Sequence, residues 1–97
     1  MFVGALRLRL AVPESSSLKD KRQVTRSILA RLRNELRVAA AEVGELDSWT
    51  VTELGVACVA TDARHVDEVL AKAVSFVERY WPEYPLLDFE TEVNPAF

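Results

Sequence analysis

The spacing of apolar residues along this chain changes from two to about 3.6, returns to two, and then repeats the cycle; few architectures satisfy that order. From Phe2 to Val12 the alternation is clean, with Leu6, Leu8, Leu10 and Val12 on one face and Arg7 and Arg9 on the other. This is a half-buried strand, and Pro13 ends it because proline has no N–H to give to a sheet ladder. A helix follows, with Ser17 as N-cap and Asp20 at the third helical position, a capping-box-like pair. Val24, Ile28, Leu29, Leu32 and Leu36 then form one broad apolar face suited to packing on a sheet.

The second half repeats the pattern. Arg37 to Leu46 is small and Ala-rich, is broken at Gly44, and reads as a short edge strand. The β-branched run within Trp49 to Thr61 reads as a second long strand. Asp62 caps a second helix from Ala63 to about Tyr80, whose apolar side holds Val66, Val69, Leu70, Ala73, Phe76 and Val77. Trp81 to Pro85 contains two prolines and is a loop. From Leu87 to Val93 alternation returns, with Leu87, Phe89 and Val93 inward and Asp88, Glu90 and Glu92 outward. The order β-α-β-β-α-β is the ferredoxin-like split βαβ pattern, an α+β domain with two helices on one face of a four-stranded antiparallel sheet. Residues 1–97 form a single domain, without repeats or internal linkers, and the chain is long enough to bury a core without disulfides or metal.

Charge is divided unevenly. Residues 1–37 carry nine basic and three acidic side chains, whereas residues 38–97 carry three basic and twelve acidic, for a net charge of −3. Non-specific nucleic-acid binding by the whole molecule is disfavoured, but a local basic face is not. Cys58 is the only cysteine, so an internal disulfide and a cysteine-rich metal site are excluded. No apolar run approaches a membrane span and no export signal opens the chain, so the cytoplasm is the expected location, with no membrane partner.

Catalytic constellations are close to absent. His65 stands alone near the start of the second helix, and Cys58 sits mid-strand among Val56, Ala57 and Val59, where an inert packed thiol is expected. The three glycines are scattered and form no phosphate-binding loop. Asp88, Glu90 and Glu92 have the period-two spacing of any solvent-facing strand, which makes them a poor metal site. Trp49, Trp81, Tyr80 and Tyr84 read as core-edge and loop-packing residues. The expectation is a protein that is not an enzyme and uses no cofactor or metal.

The binding signal lies in the first helix. Seven of the twelve Lys and Arg residues fall between Lys19 and Arg37. On a helical wheel Lys19, Arg22, Arg26, Arg33 and Arg37 share about 60° of arc, well clear of the apolar face, and span about 27 Å. Arginine forks suit phosphate oxygens, and such contacts give affinity without sequence information. The first turn adds a possible anion seat, where free N–H groups near Ser17 meet Lys19, Lys21 and Arg22. Cations oppose the helix dipole there and need an offsetting carboxylate or bound anion. Lys21 is also odd in falling within the apolar arc, unless it reaches Glu14 or Glu42. The bland alternative is a solvated flank paired with acids from the second half.

The open sheet face offers no base-stacking platform, because no aromatic lies between Gly4 and Val12 or between Thr50 and Thr61. In this topology the first and last strands are neighbours, which sets Arg7 and Arg9 beside Asp88, Glu90 and Glu92 as cross-strand pairs. The strand from Leu54 to Ala60 is apolar on both sides, so something must cover it, and self-association is the natural candidate.

Several runs carry a family resemblance. Ser17-Leu18-Lys19-Asp20-Lys21-Arg22, then Ala41-Glu42-Val43-Gly44, Trp49 and Leu54-Gly55-Val56-Ala57, resemble the YlxP-like family of small bacterial proteins, catalogued as a domain of unknown function. The resemblance implies a ferredoxin-like fold and an association with translation and ribosome-related genes, and it brings no catalytic residues. Glu35-Leu36-Arg37 departs from it, standing where many relatives would carry an aromatic followed by Asn. The functional expectation is a non-enzymatic RNA- or ribosome-associated binding protein that uses Ser17, Lys19, Lys21, Arg22, Arg26, Arg33 and Arg37. The alternative is a homo-oligomeric interaction module that associates through its sheet face or edge strand, without nucleic acid.

Overall fold

A computed structural model describes all residues 1–97. The elements run β1 (Phe2–Ala11), α1 (Leu18–Leu36), β2 (Ala39–Gly44), β3 (Val51–Ala60), α2 (Ala63–Tyr80) and β4 (Leu86–Pro95). The four strands form one sheet in the order β2-β3-β1-β4, with every neighbouring pair antiparallel. Both helices cover the same face, which is the ferredoxin-like arrangement expected from the switching period.

The core follows from the two periods. Leu6, Leu8 and Leu10 of β1, Leu54 and Val56 of β3, Ile28 and Leu32 of α1, and Val66, Leu70 and Val77 of α2 are at most 2% exposed. Gly4 lets α2 approach β1 closely: a Cβ there would lie 2.2 Å from Val66 Cγ1 and 3.1 Å from a Leu70 methyl. No helix is long and apolar enough to cross a membrane.

The strands differ from expectation at their ends. β2 begins at Ala39, because Val38 is buried in the connection and Arg37 sits in the left-handed region at φ 54°, ψ 44°. Arg37 therefore caps α1 rather than extending it, donating its N–H to the Arg33 carbonyl at 3.1 Å. In β4 the register to β1 shifts between Arg9 and Leu10, so that Leu8 faces Phe89 while Leu10 faces Leu86. Leu87 is the extra residue of this bulge, and the inward set becomes Leu86, Phe89, Thr91 and Val93. Being an edge strand, β4 still leaves Phe89 49% exposed. Trp81 is buried as a packing residue, but Trp49 on the β2–β3 turn is 55% exposed, contrary to the packing role read from the sequence.

Candidate nucleic-acid interface

The first helix sorts its cations by the direction each one faces. Ile28, Leu29 and Leu32 pack inward, with Val24 and Leu36 half-buried at the margins. Arg31 projects toward α2, its guanidinium 4.6 Å from the Tyr80 ring centre, 5.4 Å from Trp81 and 5.5 Å from Phe76. Glu35, one turn on, completes an ion pair with it at 3.1 Å. Arg33 projects the other way, and its Nε and Nη2 donate to the Ala40 carbonyl of β2 at 3.0 and 2.6 Å. Lys19, Arg22, Arg26 and Arg33 therefore line the flank of α1 that borders the β2 edge of the sheet, with Arg37 at its end. All five are exposed and none makes an ion pair. The acids of the second half do not neutralise this flank.

Lys21 departs most from the expected site. Its side chain is wholly buried, and the ammonium donates to the Glu45 carbonyl at 2.6 Å and the Val51 carbonyl at 3.1 Å, with the Glu42 carboxylate at 3.4 Å. Of the two partners left open by the sequence, Glu42 is the one the fold supplies. Two hydrogen bonds and one ion pair engage the ammonium group inside the fold. Lys21 thus ties the β2–β3 turn to α1 and is withdrawn from the surface. Glu42 also accepts from Thr52 at 3.4 Å, and the Thr52 and Thr25 hydroxyls bond across the core at 2.8 Å. Of this Lys21–Glu42–Thr52–Thr25 chain, the first link was open in the sequence as one of two partners for a lysine on an apolar arc, whereas the two threonines left no trace there.

The helix N-terminus already holds an anion of its own. Ser17 Oγ accepts from the Asp20 N–H at 3.1 Å, as an N-cap should. Asp20 returns the bond one residue earlier than a capping box would, accepting from the Ser16 N–H at 3.1 Å and the Ser16 hydroxyl at 2.8 Å. Those bonds, and then the neighbouring Lys19 charge, hold its carboxyl below the ordinary carboxylate value. The Ser17 turn therefore offers Lys19 and Arg22 to a ligand beside a resident carboxylate, and it does not offer Lys21.

The cations of the open sheet face are fully engaged. Arg7 pairs with Glu90, Asp88 and Glu53, and Arg9 pairs with Asp88, Glu45 and Glu53. The cross-strand pairing read from the sequence holds for Asp88 and Glu90, whereas Glu92 sits opposite Ala5. Glu53 and Glu45 join because β3 and the β2–β3 turn flank β1, which period alone does not reveal. His65 is exposed, and burial raises the Cys58 thiol above its ordinary range. No group of three His, Cys, Asp or Glu residues is placed to hold a metal ion.

Taken together, these features define a ferredoxin-like α+β domain with an unneutralised cationic helix flank and an ion-paired sheet face. The chain belongs to the family described as Protein of unknown function (DUF503), whose model matches residues 3–91. It is 28% identical over 79 residues to the uncharacterized protein YlxP of Bacillus subtilis (strain 168), covering 81% of this chain and 86% of that one. Its fold is also similar to part of a VAO-type flavoprotein from Myceliophthora thermophila C1, whose crystal structure at pH 5.0 superposes with a TM-score of 0.58 at 12% identity. That likeness covers 99% of this chain and 17% of the flavoprotein, and it concerns the fold alone.

Proposed function

We propose that this protein is a non-enzymatic RNA-binding protein acting at the ribosome, which docks against the phosphate backbone through the α1 flank of Lys19, Arg22, Arg26, Arg33 and Arg37. The observation that carries this reading is that all five cations are exposed and none makes an ion pair, whereas Arg7, Arg9, Lys21 and Arg31 are all paired within the fold. A row of unpaired cations about 27 Å long is comparable with several successive phosphates. The β2–β3 turn that Lys21 ties to α1 carries the exposed Trp49, an aromatic surface of the kind on which bases stack. The family resemblance implies an association with translation-related genes, which favours RNA of the ribosome as the target.

Co-sedimentation with ribosomes and separated subunits tests the proposal. Five phosphate contacts predict that affinity falls on the order of 10²-fold between about 50 and 200 mM salt. The variant Lys19→Glu/Arg22→Glu/Arg26→Glu changes only side chains without an internal hydrogen bond or ion pair, so it should fold normally and lose binding. Arg7→Gln is the control: its charge is already engaged, and binding should stay within about twofold of wild type. Undiminished co-sedimentation of the triple variant would rule the proposal out.

A further inference from the structure

The turn between β2 and β3 is held more firmly than a surface connection requires. Lys21, reaching from α1, donates to the Glu45 carbonyl at its start and to the Val51 carbonyl at its end. Between them the Ser48 N–H donates to the Glu45 carbonyl at 3.1 Å, and the Ser48 hydroxyl accepts from the Thr50 and Val51 N–H groups at 3.3 and 3.1 Å. The Thr50 carbonyl accepts from the Val12 N–H at 2.7 Å. Glu45 also takes φ 55°, a left-handed backbone disfavoured for any residue with a Cβ. The segment is fixed at both ends and in its middle.

Trp49 is the largest side chain of that segment, and the fold gives its ring nothing to stack on. It is 55% exposed, and Leu46 of the same turn is 56% exposed. The other tryptophan shows the contrast. Trp81 is buried, with its ring centre 5.8 Å from Phe76 and 5.4 Å from the Arg31 guanidinium. No aromatic ring and no guanidinium stacks on Trp49. A bare indole on a rigid turn gives up little conformational freedom when a flat ligand lands on it.

This turn stands beside the cationic flank. Helix α1 and strand β2 run side by side in opposite directions: Arg33, late in α1, meets Ala40, early in β2, and Lys21, early in α1, meets Glu45, just past the end of β2. The β2–β3 turn is therefore level with the start of α1, where Lys19 and Arg22 begin the row of unpaired cations. Asp47 is the one carboxylate of the turn without an ion pair, since Glu45 is held by Arg9. From Arg22 the row continues to Arg26 and Arg33, away from that acid.

We infer that the RNA bound by this flank is single-stranded, with one unpaired base stacked on Trp49 and the adjoining phosphates laid along α1 from Lys19 and Arg22. The inference rests on the RNA reading proposed above and narrows its ligand. Within a duplex each base is covered on both faces by its neighbours, so a surface indole meets a free base face only in a loop, a bulge or an unpaired strand. A cationic track for the backbone beside an aromatic platform is the combination that holds single strands with little sequence preference.

Fluorescence anisotropy tests this with a labelled, unstructured RNA strand of about 16 nucleotides, used free and annealed to its complement. The free strand should bind about tenfold more tightly than the duplex, or better. Trp49→Ala should weaken single-strand binding by about 5- to 100-fold, the share of one stacked base. It should leave the slope of log affinity against log salt unchanged, because no phosphate contact is lost. Trp49→Phe keeps an aromatic face and should restore most of the affinity. The side chain is exposed, so both variants should keep the wild-type circular dichroism and melting temperature. Equal affinity for strand and duplex overturns the inference, as does a Trp49→Ala protein that binds the strand like wild type. The RNA reading survives either result if Lys19→Glu/Arg22→Glu/Arg26→Glu still abolishes binding. Wild-type protein that binds neither form overturns both.

Discussion

The arginines of β1 and those of α1 are the same residue type put to opposite uses. Arg7 and Arg9 lie on a strand whose neighbours on both sides carry carboxylates in register, and each is held by three of them. Lys19, Arg22, Arg26, Arg33 and Arg37 lie on a flank bordered by the Ala-rich β2 and have no carboxylate partner. What differs is the neighbouring strand, because a sheet sets fixed opposite partners whereas a helix flank meets only what the next element presents. Formal charge per segment therefore says little about available charge. The cations that could act on a partner are those the fold leaves unpaired.

Lys21 tests that distinction most severely, because it belongs to the basic segment by sequence and to the core by structure. Replacing it with Ala removes two hydrogen bonds and an ion pair, and strands Glu42 beside the core without its counter-ion. Losing one partner of a buried pair costs about 3–5 kcal/mol, a large part of the stability of a small domain. Urea unfolding should show that loss. Lys21→Met combined with Glu42→Gln should recover much of it, because no uncompensated charge then remains. Salt-dependent RNA binding of the Lys21→Met/Glu42→Gln protein should be unchanged. A large fall in its affinity with an intact fold would move Lys21 back to the surface and break the comparison.

Period and capping made most of the fold legible. β1 and α2 needed little more than Leu6-Leu8-Leu10 and an Asp62 cap before an amphipathic run, and α2 spans Ala63–Tyr80 as read. β4 was harder, since a single bulge residue, Leu87, exchanges the faces of everything before it, and period two gives no warning of that. The cationic stripe was legible as a direction on a wheel. Its unpaired state was not, because pairing depends on which strand lies alongside. Arg33 shows the gap: its two bonds go to the Ala40 carbonyl, only seven residues on, yet only a β2 edge folded back against α1 brings them together. The burial of Lys21 was legible as an anomaly, but Thr25 and Thr52 gave no sign of being partners.

Arg37 sharpens the comparison from the opposite direction, being an unpaired cation placed where its backbone is unfavourable. A residue with a Cβ at φ 54° costs about 1 kcal/mol relative to Gly, which is why Gly and Asn prevail at such helix ends. Arg37→Gly should therefore stabilise the fold by roughly 0.5–1 kcal/mol in a chemical melt. It should also lower the slope of log affinity against log salt for RNA by a little under one unit, the share of one phosphate contact. A gain in stability with an unchanged slope would leave the stripe with four members.

Asp20 marks the border between the two regions, as an acid that the helix N-terminus needs and the stripe does not. Hydrogen bonds from Ser16 and the charge of Lys19 hold its folded pKa below the ordinary 3.8. A carboxyl with a lowered folded pKa contributes stability above its unfolded value, and that contribution disappears as pH falls through the folded value. Asp20→Asn should thus be less stable than wild type near neutrality, and the difference should shrink from about pH 4 downward and close only once pH has fallen through the lowered folded value, where both proteins carry an uncharged group. The same change deletes the one negative charge beside Lys19, so RNA affinity at low salt should rise by a small factor, about two- to threefold, and the gain should vanish at high salt. If affinity falls instead, the carboxylate orders Lys19 and Arg22 for their partner, and the first turn of α1 belongs to the binding surface as a unit.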